Sequence, residues 1–141
     1  MNRLKRILLT TLVFLWFEPV LSDEVVVIGH AGIPALNTAT IEKLFTGKVI
    51  EINDTPIWVV NLTQGNSVRK RFLNDYLAQD EEKYIAYWTV RKFIGKGSPP
   101  KELNSSAEVI GFVQSQVGAI GYVDATEVIP GLNIVSKKAK P

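Results

Sequence analysis

Cysteine is absent from the chain, and histidine occurs once, as His30. Without cysteine there is no disulfide, no thiol nucleophile and no lipidated cysteine at a processing site. One histidine with no cysteine beside it cannot assemble a zinc cluster or a Cys–His pair. No Gly-x-Ser-x-Gly elbow presents a serine nucleophile. Gly95-Lys96-Gly97-Ser98 has the tail of a phosphate-binding P-loop. Val90, however, stands where that motif needs its first glycine, and the segment closes a helix instead of opening one. A long hydrophobic run is missing too, because the apolar stretch 7–17 is too short to span a bilayer. We therefore expect no catalytic residue, no metal and no cofactor, and His30, close to Gly32 and Pro34, reads as a loop residue.

What is present begins with Arg3, Lys5 and Arg6, followed by that apolar stretch, Glu18-Pro19 and then Val20-Leu21-Ser22 ahead of Asp23-Glu24. This order of basic, apolar and cleavable regions predicts a signal peptide over residues 1–22, cut after Ser22. The alternative is an uncleaved anchor built on Phe14, Trp16 and Phe17. Removing Arg3, Lys5, Arg6 and Glu18 leaves thirteen cations and thirteen acids, so the mature domain is neutral. The basic pI of about 8.9 is then no sign of a nucleic-acid partner, and no aromatic-interleaved basic stripe supports one. Lys137, Lys138 and Lys140 read as a solvated tail. An exported protein without a lipid anchor is expected in a Gram-negative periplasm. Residues 23–141 have the length and hydrophobic content of one globular domain.

Glu24 to Gly29 is a β-branched run suited to a strand covered on both faces. Thr38 is placed to cap a short helix with Ile41, Leu44 and Phe45 on one side, stopped at Gly47. Asn53-Asp54-Thr55-Pro56 is a turn before the strand Ile57 to Val60. A helix is predicted over 66–77, with Val68, Phe72 and Tyr76 four apart. Asp80-Glu81-Glu82 opens another, whose apolar side is Tyr84, Ile85 and Trp88, and the stretch 95–100 is a loop. Ser105 to Glu108 is a capping box for a helix bearing Val109, Ile110, Phe112 and Val113. Strands follow at Ala119 to Val123 and Leu132 to Val135. The order β-α-β-α-α-α-β-β predicts an α/β three-layer sandwich with a mainly parallel sheet and with Trp58, Phe72, Trp88 and Phe112 buried.

The candidate binding segment is Thr63-Gln64-Gly65-Asn66-Ser67-Val68-Arg69, which leaves a buried strand and opens a helix. Ligands of parallel α/β sheets sit at the carboxyl ends of strands. Gly65 permits a close approach, the first-turn amides of Ser67, Val68 and Arg69 lack helical partners, and Ser67 and Arg69 add side-chain donors for an anion. Arg69, Lys70 and Arg71 oppose the helix dipole, so Arg69→Ala is expected to leave the unliganded fold no less stable. A plainer reading has Asn66 capping the helix and the three cations solvated.

Lys43-Leu44-Phe45-Thr46-Gly47-Lys48, Gly65 to Arg69, Trp88 with Gly95-Lys96-Gly97, and Val113-Gln114 followed by Gly118-Ala119-Ile120-Gly121-Tyr122-Val123 carry a family resemblance. In order and spacing across nearly all of residues 23–141, the chain resembles the periplasmic phosphate-binding proteins of phosphate ABC transporters, in a short, single-lobe form. The resemblance implies one lobe of a type II periplasmic binding protein. It also implies a ligand, phosphate or another small oxyanion, held without catalysis, and a transporter permease or other membrane protein as partner. The family's phosphate loop has the form Arg-x-Asp-Gly-Ser-Gly-Thr. Against it, Gly65 matches the first glycine, Asn66 the serine, Ser67 the second glycine, Val68 the threonine and Leu62 the arginine. The partner lobe is absent from this chain. A second function is therefore kept beside the first: a ligand-free interaction or sensory accessory domain that binds a protein.

Overall fold

The computed structural model describes residues 13–16 and 24–138. The predicted cleavage site after Ser22 and the tail residue Lys140 lie outside them. Among the described residues no helix is long and apolar enough to cross a membrane.

Five strands form one sheet in the order β5-β4-β6-β1-β7. They are β1 (Val25–Gly29), β4 (Trp58–Leu62), β5 (Lys101–Leu103), β6 (Ala119–Asp124) and β7 (Asn133–Lys137). β4 runs parallel to both β5 and β6, while β1 is antiparallel to β6 and to β7. The sheet is thus parallel except for β1. Its five residues are buried without a break, as their unbroken β-branched run demands. A separate two-stranded hairpin, β2 (Glu51–Ile52) and β3 (Thr55–Pro56), turns through Asn53 and Asp54, both at positive φ, which is the backbone of a type I′ turn.

The helices are α1 (Thr38–Phe45), α2 (Ser67–Phe72), α3 (Glu81–Phe93) and α4 (Ser106–Ser115). Asn37, one residue ahead of the expected Thr38, caps α1 by accepting from the Thr40 amide at 2.8 Å. Its side-chain oxygen reaches the first turn from an extended backbone. The predicted helix over 66–77 is α2 followed by a π-helical turn, Leu73–Leu77, closed by Ala78 in the left-handed region. Ser105 accepts from the Glu108 amide as expected, and Glu108 reaches back one residue past the cap to the Asn104 amide, a variant of the capping box.

Neighbouring residues of β6 point to opposite faces, and this fixes the layers. A Cβ on Gly121 would meet Val109 of α4, whereas Tyr122 stacks on Phe72 of α2, with centroids 3.9 Å apart. The three-layer α/β sandwich is therefore present. Phe72 and Trp88 are buried as expected, and Phe112 is half-buried. Trp58 is 57% exposed, contrary to expectation, because it stands at the open amino end of β4. Ile85 likewise lies on the solvent side of α3. Lys137 is the last residue of β7 instead of a tail, and the Lys138 ammonium donates to the Asp75 carbonyl.

The glycines of the 118–121 string are explained by contact. Gly118 has φ +79°, and a Cβ there would lie 2.1 Å from the Pro56 carbonyl oxygen, where the hairpin crosses the start of β6. Gly131 also has positive φ, +86°, but open space around it. We expect Gly118→Ala to lower the urea-unfolding free energy by more than Gly131→Ala, whose cost should be only the left-handed backbone's, about 1–2 kcal/mol. Equal losses would show that the hairpin contact contributes nothing.

Candidate functional site

The loop after β4 is shaped by its own hydrogen bonds. The Thr63 amide donates to the Leu103 carbonyl at 3.1 Å, which ties the loop to β5, and the Asn66 amide donates to the Thr63 carbonyl at 3.2 Å. Gly65 takes φ +84° inside this turn, a conformation that favours glycine. Asn66 is extended and caps α2, its side-chain oxygen accepting from the Val68 amide at 2.8 Å and the Arg69 amide at 3.4 Å. Two of the three amides expected to meet an anion are thereby taken. The amide and hydroxyl of exposed Ser67 have no partner among the described residues, and Gly65 and Gln64 are exposed beside it.

Arg69 turns inward. Its side chain is 3% exposed, and the guanidinium lies between two carboxylates. Nε donates to Glu81 at 3.0 Å, Nη2 is 2.7 Å from the second Glu81 oxygen, and Nη1 donates to Glu102 at 2.8 Å and to the Leu62 carbonyl at 2.9 Å. The Tyr84 ring lies under the cation, 5.6 Å away. Burial opposes the charge, but the hydrogen bond and the charge of Glu81, with Glu102 behind them, hold the Arg69 pKa above its ordinary value. Of the other two cations, Arg71 is paired with Asp124 at 2.7 Å, and Lys70 is exposed. Burial works against the Asp124 carboxylate, yet donors from the Thr126 amide and hydroxyl and from Arg71 keep its pKa below the usual range.

Beneath Arg69 lies a buried polar relay. Tyr122 donates to the Asn61 side chain at 3.2 Å and accepts from the Leu62 amide at 3.1 Å. Asn61 donates to Tyr84 at 3.1 Å, and Tyr84 donates to the Phe45 carbonyl at 2.9 Å. The relay fixes the carboxyl end of β4 and so the direction in which the loop leaves it. None of Asn61, Glu81, Tyr84, Glu102 and Tyr122 stood out in the sequence as a partner of Arg69. Asp80-Glu81-Glu82 was legible only as the favourable charge of a helix start.

A cavity of about 140 Å³ opens beside this group, with Gln64, Lys92 and Glu102 among its walls. His30 lies at the other end of the sheet, where Nδ1 contacts the Val113 carbonyl at 2.9 Å and the His30 carbonyl accepts from Asn133 at 3.0 Å. It is the loop residue it was expected to be.

No protein-family model and no curated protein matches the sequence. Solved structures do match the fold. A phosphate ABC transporter substrate-binding protein of Clostridium perfringens, solved with bound phosphate, superposes with a TM-score of 0.63 at 22% identity, over 79% of this chain and 44% of that one. An ABC-type phosphate transport receptor of Vibrio cholerae gives 0.57 at 14% identity, over 82% of this chain and 46% of that one. The chain spans less than half the length of these neighbours, and the shared fold is that of one periplasmic-binding-protein lobe.

Two outcomes follow from the inward arginine. Arg69→Met should destabilise the fold by at least about 2 kcal/mol in urea unfolding, because it strips charge-assisted bonds from two carboxylates and a carbonyl. This reverses the expectation that removing Arg69 is harmless. Lys70→Ala should stay within about 0.5 kcal/mol, and equal effects would deny Arg69 its structural part. At alkaline pH the buried tyrosines decide. Burial raises the pKa of Tyr122, Tyr84 and Tyr76 above the ordinary 10.0. Each therefore contributes stability that is whole below that value and is lost as pH rises through the higher folded value. Tyr122→Phe should lower stability at neutral pH and flatten its fall in alkali, and an unchanged alkaline slope would contradict this.

Proposed function

We propose that this chain is an exported, non-enzymatic solute-binding-type protein that works in the periplasm with phosphate ABC transport, meeting phosphate or a similar small oxyanion at Gly65 and Ser67 of a turn that Asn66, Val68 and Arg69 shape. The observation that carries the reading is the exposed Gly65–Ser67 turn at the carboxyl end of β4, with the Ser67 amide and hydroxyl both available as donors. The likeness of the lobe to two phosphate-transport proteins supports the ligand class. In this arrangement the parts divide. Gly65 and Ser67 touch the anion, Asn66 and Val68 set the backbone, and Arg69 positions the loop from below through the Leu62 carbonyl. A permease or other membrane protein is the partner such a protein requires.

One observation favours a second reading, in which the lobe is an interaction or sensory accessory domain that binds a protein and no solute. Arg69, the strongest anion ligand available to the loop, is already neutralised by Glu81 and Glu102.

Calorimetric titration of the exported protein with phosphate, against sulfate and chloride, separates the two. Saturable binding that falls roughly tenfold in Ser67→Ala supports the first reading, since a hydrogen bond to a charged group contributes about 1.5–3 kcal/mol. The absence of heat at millimolar phosphate would leave the second. Export has its own check. Made with its own amino terminus in a Gram-negative host, the protein should be recovered from the periplasm with a mass that begins at Asp23, and retention of residues 1–22 would refute the cleavage.

A further inference from the structure

The sheet has a gap at its other end. β5 pairs with β4 only from Val60 to Leu62, so Trp58 and Val59 have β6 on one side and no strand on the other. Pro99 and Pro100 precede β5, and a proline has no amide to continue the ladder. The Trp58 amide donates to the Gly118 carbonyl on the β6 side, so alternation turns the Ile57 carbonyl and the Val59 amide toward the gap, while the Val60–Lys101 register gives the Val59 carbonyl to the Lys101 amide. A groove of about 550 Å³ fills that gap. Its lips carry Trp58 and Ile50, the latter 72% exposed, and Trp88 and Phe112 stand in its walls.

We infer that this groove is a docking site for an extended, apolar and acidic segment of a partner protein, added to β4 as a short extra strand. The open strand edge selects an extended chain, because main-chain bonds to the Ile57 carbonyl and the Val59 amide need no particular side chain. The exposed tryptophan and isoleucine supply anchors of the kind that dominate such contacts. Charge selects the sign. Among the described residues Lys101 is the single charged residue of the lining, Lys48 follows the lining residue Gly47 in sequence, and Arg91 joins the Gly47 and Lys96 carbonyls. Glu51 is the acid beside Ile50. A second copy would bring the same cations face to face in a two-fold contact, and a flat bilayer does not enter a concave groove. The groove lies at the amino end of β4 and the Thr63–Ser67 turn at its carboxyl end, so the inference stands whether or not that turn binds an anion. It also gives the accessory reading a surface.

The test is selection of a phage library of random short peptides on the exported protein. Enriched peptides should alternate apolar residues with aspartate or glutamate. Their affinity should fall about tenfold or more on Trp58→Ala, with the far-UV spectrum unchanged, and Lys101→Glu should shift selection toward basic peptides. Hydrogen exchange at the Val59 amide should slow when such a peptide is bound. Peptides indifferent to both substitutions would overturn the groove while leaving an interaction role intact elsewhere on the surface. Failure of any peptide to enrich would overturn it too, as would self-association of the wild type that Trp58→Ala abolishes.

Discussion

Taking a guanidinium out of water costs several kcal/mol unless its donors and its charge are met where it comes to rest. Arg69 is met by four partners from three other elements: both oxygens of Glu81 in the first turn of α3, Glu102 in β5 and the carbonyl that ends β4. Its own helix, α2, is thereby pinned to the carboxyl edge of the sheet. The position near the start of α2 is unfavourable to a cation by about 0.3–1 kcal/mol through the helix dipole. Two charge-assisted contacts at 2.7–2.8 Å outweigh that. Glu81 sits at the start of α3, where an acid is welcome, so the two helix starts exchange charge to mutual benefit.

The same commitment shapes what the site can do. An oxyanion entering at Arg69 has to displace two carboxylates held by short bonds. An anion resting on the Gly65–Ser67 turn displaces nothing among the described residues. The turn is supported from below: Thr63 is tied to β5, Asn66 closes the helix start, and the Tyr122–Asn61–Tyr84 relay holds the strand. Backbone donors on a supported turn need no charged side chain to hold a small anion, though they hold it less tightly.

Local rules made much of the fold legible. The β-branched run of β1, the four-residue spacing of Phe72 and Tyr76, and the Ser105–Glu108 box each follow from residues close in sequence. What stayed hidden depended on distant neighbours. β5 has three residues, Lys101-Glu102-Leu103, too few and too polar to show a strand period, and it exists because β4 offers an edge. Trp58 is apolar in a strand and still exposed, since β5 stops short of it. In the binding segment, the cap by Asn66 and the freedom of Gly65 were readable. The direction of Arg69 was not, because Glu102 lies thirty-three residues away in a strand that the sequence conceals. A row of cations at a helix start looks the same whether it awaits an anion or has found one inside the protein.

The central claim is that Arg69 is bound to its own carboxylates and not to a ligand. The Nε–H resonance of Arg69, followed by nuclear magnetic resonance during a phosphate titration, tests this directly. A slowly exchanging signal that stays fixed while the Gly65 and Ser67 amide resonances move is the result this account predicts. Saturable movement of the Arg69 signal with phosphate, in step with the loop, would contradict it.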